Sequence, residues 1–270
     1  MQAAILPASA GWQWSRDGFL LFRKQPLAMF MWAMAVSLAV TLAFLAAPIG
    51  PFLFVALMPV VTLLTMNACR HIASERVILP SMWFKPLQPA GTFRRLFGMG
   101  MMYVAASLIA GLVAFLPFLS NIADSIEEAQ ATQTAIPMLE AMGPGIIIFG
   151  ILYVMIAALF WHAPVLVAWH HLRLSQSLFF SAIACWRNKW PFLVYGIVWF
   201  SIFFAIDLVF GILVWMGIPV GVAQMLKMPA NIAAMATLYC SFYPAYVSVF
   251  DIIERPPHAV DAPDHQEDNV

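Results

Sequence analysis

The chain has 270 residues, 63% hydrophobic and 10% charged, with thirteen basic and thirteen acidic side chains that cancel. Soluble domains run nearer half apolar and a quarter charged, so this composition excludes an ordinary water-exposed fold and favours a bilayer. The zero balance also gives no global field that would attract nucleic acid or an acidic partner.

In chain order, the opening "MQAAILPASA" lacks a basic n-region and a long apolar core, so it does not read as a secretory signal. Residues 11–24 form a first semi-polar leader, with Trp12, Trp14, Phe19 and Phe22 beside Arg16 and Arg23. Such a segment suits the membrane interface, with rings at headgroup depth and basic groups toward anionic lipid. It ends in "RKQP" (23–26), and proline suits the first turn of the helix that follows.

Six apolar runs then reach the ~20 residues that span hydrocarbon: 27–46, 51–70, 96–118, 145–172, 191–216 and 220–250. The first two are separated only by "APIGP", and the second carries Met58-Pro59. A second leader, 80–95, contains Pro86 and Pro89 and is therefore predicted to be only partly helical. Between the third and fourth runs lies a polar loop with Asp124, Glu127, Glu128 and Glu140. In it Ile122, Ile126 and Ala129 fall at helical spacing, compatible with a short amphipathic helix as well as a solvated loop.

The fourth run holds His162 two residues before Pro164, which frees the carbonyl of residue 160. His162 reads as a local or interhelical polar contact, or else as a titrating group. The third leader, 175–190, is the clearest amphipathic segment. Leu178, Phe179, Ala182, Ile183 and Trp186 share one face, with Ser177, Ser181 and Asn188 on another, and it ends in "NKWP". The sixth run is polar for a span, with Asn231, Thr237, Tyr239, Ser241, Tyr243, Tyr246 and Ser248 along it. A buried helix making interhelical hydrogen bonds and a helix lining a polar cavity both fit that pattern. The last segment, 254–270, is acidic and proline-containing and reads as a disordered cytoplasmic tail after a single transmembrane domain, 1–253.

Orientation follows from the basic residues in short loops. Twelve of the thirteen fall on one side of this arrangement, and only Lys227 does not. Both termini are therefore expected in the cytoplasm, and anionic headgroups are expected against that face. Cys69, Cys185 and Cys240 lie toward the same reducing side, so no disulfide is expected. The resulting fold class is all-α: six transmembrane helices in three hairpins, each preceded by a leader on the cytoplasmic side.

The segments "SLFFSAIACWRNKWPFLVYGI" (177–197) and "GWQWSRDGFLLFRKQP" (11–26) resemble a family of uncharacterised six-span inner-membrane proteins of proteobacteria. The similarity covers most of 11–253, and its moderately specific core is "WRNxWPFLVYG". The resemblance implies a polytopic bacterial inner-membrane protein and carries no activity, cofactor or catalytic residue with it.

One carboxylate stands out. Asp207 sits in "FFAIDLVFGIL", and a charge near the middle of a bilayer costs roughly 2.5–3.5 kcal/mol on insertion scales. Positions 207 and 227 lie equally far from residue 217, in the turn between the last two runs. An antiparallel pair therefore brings Asp207 and Lys227 to one depth. Their ion pair reads either as a lock on the hairpin or as part of a proton or ion relay. Asp207, Lys227, His162 and Asn231 make up the candidate intramembrane polar site.

No Walker loop, H-E-x-x-H or G-x-S-x-G motif occurs. Neither the histidines nor the seventeen methionines show a metal-ligating pattern. No cofactor, metal or enzymatic activity is therefore expected. Two function classes remain: an accessory protein that interacts with lipid or other membrane proteins, and a small transporter or channel. The first predicts a closed, well-packed bundle with no continuous polar cavity, and the second a mid-membrane cavity reached by Asp207 and the sixth run, with His162 as a further candidate.

Overall fold

The computed structural model describes residues 3–78 and 82–250, and its regular structure is helical. The proposed tail at 254–270 and the start of the second leader lie outside the described residues. The helices are α1 (Ala10–Lys24), α2 (Pro26–Leu45), α3 (Ile49–Ala73), α4 (Thr92–Phe115), α5 (Leu119–Thr132), α6 (Ile136–Phe160), α7 (Ala163–His170), α8 (Leu174–Arg187), α9 (Lys189–Trp215) and α10 (Val220–Phe250). Six stretches are long and apolar enough to cross a membrane: α2, α3, α4 continued by α5, α6 continued by α7, α9 and α10.

The structure decides three local features, and one of them, the start of the fourth span, differs from expectation. The polar segment after the third run is mostly helix: α4 passes through a short 3₁₀ turn at Leu116–Phe118 into α5. α6 starts at Ile136, nine residues before the apolar run at 145, because Pro137 in its first turn starts a helix that Glu140, Gly143 and Pro144 disguise as loop. The fourth span is also broken, at Trp161–His162.

Consecutive long helices pack side by side: α2 on α3, α4 on α6, and α9 on α10. The first and third leaders pack chiefly on a pair other than the one they introduce. α1 lies against α9 and α10, the last pair. The short turn Lys85–Leu87 of the second leader packs on both α3 and α4, and Trp83 stacks on Trp32 of α2 with ring centroids 4.3 Å apart. α8 packs on α6 and α7. The third leader therefore joins the pair before its own, the second bridges the first pair and its own, and the first closes the ring by joining the last. Contacts of α10 with α2 and of α3 with α4 complete the circuit.

Small residues let α1 and α8 approach the bundle closely, while several of their large rings stay outside. α1 turns Gly11, Trp14, Ser15 and Gly18 inward and leaves Trp12 and Phe19 outside. A methyl group on Gly18 would collide with the backbone of Ser241 in α10, so only glycine permits this approach. Trp14 donates to Ser248 Oγ at 2.7 Å, and Tyr195 of α9 and Ser241 share a hydrogen bond at 2.6 Å. α8 likewise buries Ser177, Ser181 and Ala184 and exposes Phe179 and Trp186. Small inside and large apolar outside is the packing logic of helices in lipid, where close approach stabilises and exposure of hydrocarbon costs little.

Asn188, at the α8–α9 junction, is fully buried. Its amide donates to the carbonyls of Ala4 and Ala184, and its oxygen accepts from the Leu6 N–H. The Ala4 N–H in turn donates to the Val249 carbonyl. One side chain thus ties the N-terminal segment to the third leader, which gives the Asn of the "WRNxWP" stretch a structural job.

Candidate functional site

The four residues singled out from sequence fall in two separate places. Asp207 Oδ1 and Lys227 Nζ are 2.5 Å apart, joining α9 to α10. The pair lies on the outside of the bundle: the Asp207 side chain is 60% exposed and that of Lys227 32%. Asn231 sits one turn beyond Lys227 on α10 and is half-buried.

His162 is elsewhere. It is 2% exposed, and its ring is enclosed by Phe192 of α9 and by Tyr246 and Phe250 of α10. Phe192 precedes Asp207 by fifteen residues, or ~22 Å along a helix at ~1.5 Å per residue. His162 therefore packs at the far end of the α9–α10 pair from the ion pair, and no single site contains both.

The break at His162 has a specific cause. In an unbroken helix the His162 N–H would donate to the Ala158 carbonyl. Instead it donates to Ser181 Oγ of α8 at 3.0 Å, and the Ser181 hydroxyl donates to the Ala158 carbonyl at 2.8 Å. A hydroxyl from the third leader is thus spliced into the backbone ladder, a recognised origin of sharp kinks. Pro164 completes the break, since it has no N–H for the Phe160 carbonyl. The His162 Nε2 has no hydrogen-bond partner among the described residues.

Beside this break lies a cavity of about 440 Å³ between α3, α4, α6, α7 and α10, within the range of small-molecule pockets. Its inner end is formed by buried Met66, His162 and Tyr246, whose hydroxyl hydrogen-bonds His170 Nε2 at 3.1 Å. Its outer wall, at Met58 and Tyr153, is 37% and 42% exposed, so the cavity opens sideways out of the bundle. Tyr103 of α4 donates to the Tyr153 hydroxyl at 2.7 Å across that wall. Among the described residues, no Lys, Arg, Asp or Glu lines the cavity.

Sequence reasoning located His162 and the helix-breaking prolines but not the cavity. Pro59 and Pro164 both line it, from α3 and α7. Two proline-interrupted spans were the available signal, and nothing in one dimension shows that they face each other. Thiol chemistry has no footing nearby. Burial pushes the Cys185 thiol in α8 up to about 12, which keeps it protonated and unreactive near neutral pH.

Comparison with known proteins agrees with this architecture. No family model and no solved structure matches the chain. Over 260 residues it is 34% identical to a probable inner membrane protein of Burkholderia thailandensis, an alignment covering 94% of this chain and 96% of that protein. With six membrane-length apolar helices and similarity along nearly its whole length, the chain belongs to the family of that probable inner membrane protein.

Proposed function

We propose that this inner-membrane protein is a non-catalytic accessory protein that holds a lipid-soluble molecule in the cavity between Tyr153 and His162. The observation that carries this reading is the cavity itself: apolar and aromatic walls, no charged lining residue, and a mouth on the outer side of the bundle. A molecule dissolved in the bilayer reaches such a mouth without crossing water. A solute or proton pathway has less support. The charged residues expected to serve it neutralise one another on the outside, ~22 Å along α9 from the end that packs on His162.

In this reading the helix pairs are transmembrane hairpins, both termini face the cytoplasm, and α1 and α8 lie in the inner-leaflet interface. The basic-residue bias supports the orientation. Lys189 lies 5.1 and 5.9 Å from the rings of exposed Trp186 and Trp190, and Arg23 lies 5.9 Å from that of Phe19. Cations held among exposed rings suit anionic headgroups. The test is native mass spectrometry of protein extracted in mild detergent. Wild type should carry a bound lipid-soluble molecule. Ala157→Trp, which fills the cavity from α6, should lose it while eluting as the same monodisperse species. A plugged variant that keeps the full complement, or a wild type that carries none, overturns the proposal.

A further inference from the structure

Resting on that cavity reading, we infer that its ligand is a neutral, ring-bearing hydrogen-bond donor of the phenol or hydroquinone class. Among the described residues the cavity offers backbone carbonyl acceptors, two hydroxyls that can both accept and donate, and no formal charge. Pro59 has no N–H to give the carbonyl of Val55, four residues earlier, and Pro164 has none for Phe160. All four residues line the cavity. In a membrane a carbonyl freed in this way has no water to turn to, and it persists where a neighbouring group or a ligand satisfies it.

Two hydroxyls add to this. Thr41, Thr65, Thr132 and Thr237 all return their hydroxyls to the carbonyl four residues back. Thr62 lines the same cavity and makes no such bond among the described residues. The fourth residue back from it is Met58, just before Pro59. Tyr153 accepts from Tyr103, and its oxygen keeps a further lone pair.

The walls supply the second half of the specificity. Phe54, Phe160, Trp161 and Phe242 line the space, and the Trp161 and Phe242 rings meet edge to face with centroids 5.4 Å apart. Aromatic walls favour a ring over a saturated chain. With no charged lining residue, an ionised head entering the cavity would go uncompensated. A hydroxylated ring uses the walls and the orphan acceptors together. A fully alkylated ring uses the walls and at most the Thr62 and Tyr153 O–H donors, and leaves the two freed carbonyls unmet.

The test compares three probes of one shape against the full chain in phosphatidylcholine nanodiscs, with empty nanodiscs as the partition control: a short-tailed hydroquinone, its dimethyl ether and the corresponding quinone. The hydroquinone should bind about tenfold more tightly than the ether or the quinone, the scale of one or two net hydrogen bonds. Pro59→Ala restores an N–H to the Val55 carbonyl and should cut that preference to about twofold while leaving the ether's Kd unchanged. Thr62→Val should lower the preference without affecting the ether. Ala157→Trp should abolish binding of all three. Equal binding of hydroquinone and ether, lost together in Ala157→Trp, sinks the donor inference and leaves the cavity reading standing. Hydroquinone binding that survives Ala157→Trp overturns both, and failure of all three probes to bind overturns the donor inference.

Discussion

Asp207 and Lys227 sit ten residues on either side of position 217, and the contact between them follows from that spacing. A helix rises ~1.5 Å per residue, so equal counts from a turn give equal depth. Rotation about the helix axis is a separate quantity, and it aims the pair outward. Outside the bundle an unpaired charge faces hydrocarbon, at roughly 2.5–3.5 kcal/mol on insertion scales. Asp207→Ala and Lys227→Ala should therefore each reduce the folded fraction measured by fluorescence-detected size exclusion. The exchanged pair, Asp207→Lys with Lys227→Asp, should restore it. Additive losses with no recovery would show that the two residues act independently. His162 was recognisable as out of place, but its surroundings were not. Phe192, Tyr246, Phe250 and Ser181 reach it from α8, α9 and α10, none adjacent in sequence.

Helix identities were largely legible, because runs of twenty apolar residues admit few alternatives. The errors fall where polar residues sit inside helices. Residues 136–144 looked like loop because Glu140, Gly143 and Pro144 interrupt the apolar run, yet they form the first turns of α6. The amphipathic pattern of the third leader was visible, but its sense was not: α8 turns serine inward and phenylalanine outward. Ser181 is the clearest case. Its hydroxyl takes the place of one backbone hydrogen bond and stabilises the break between α6 and α7. Ser181→Ala leaves the His162 N–H and the Ala158 carbonyl without that partner, at a cost of about 1–3 kcal/mol. The apparent Tm should fall by several degrees, while Ser175→Ala on the exposed side of the same helix should leave it unchanged. Equal melting of the two variants would mean that Ser181 does not hold the break.

At the scale of the molecule, the leaders act as staples between helix pairs. α8 packs on the preceding pair, the second leader bridges α3 and α4, and α1 closes the ring against α9 and α10. This arrangement makes the fold interdependent, since removing one leader loosens a pair that it does not introduce. It also bears on orientation, because the expected map puts the leaders and both termini on one side. A reporter fused at residue 130, in α5, should be active only as an external reporter, and one fused after residue 250 only as a cytoplasmic one. A cytoplasmic signal at 130 would invert the orientation argued from the basic residues.

By itself the sequence determined that this chain crosses a membrane, how many helices do so, and which charge must find a partner. These are one-dimensional properties, set by run length, hydropathy and distance from a turn. Only the tertiary structure decided that α1 binds the last pair and α8 the preceding one, that the ion pair faces outward, and that Pro59 and Pro164 border one cavity. Those outcomes depend on helix rotation and on contacts between segments far apart in the chain. In lipid, rotation is governed by close packing of small residues rather than by burial of a greasy face, so hydropathy carries little information about it.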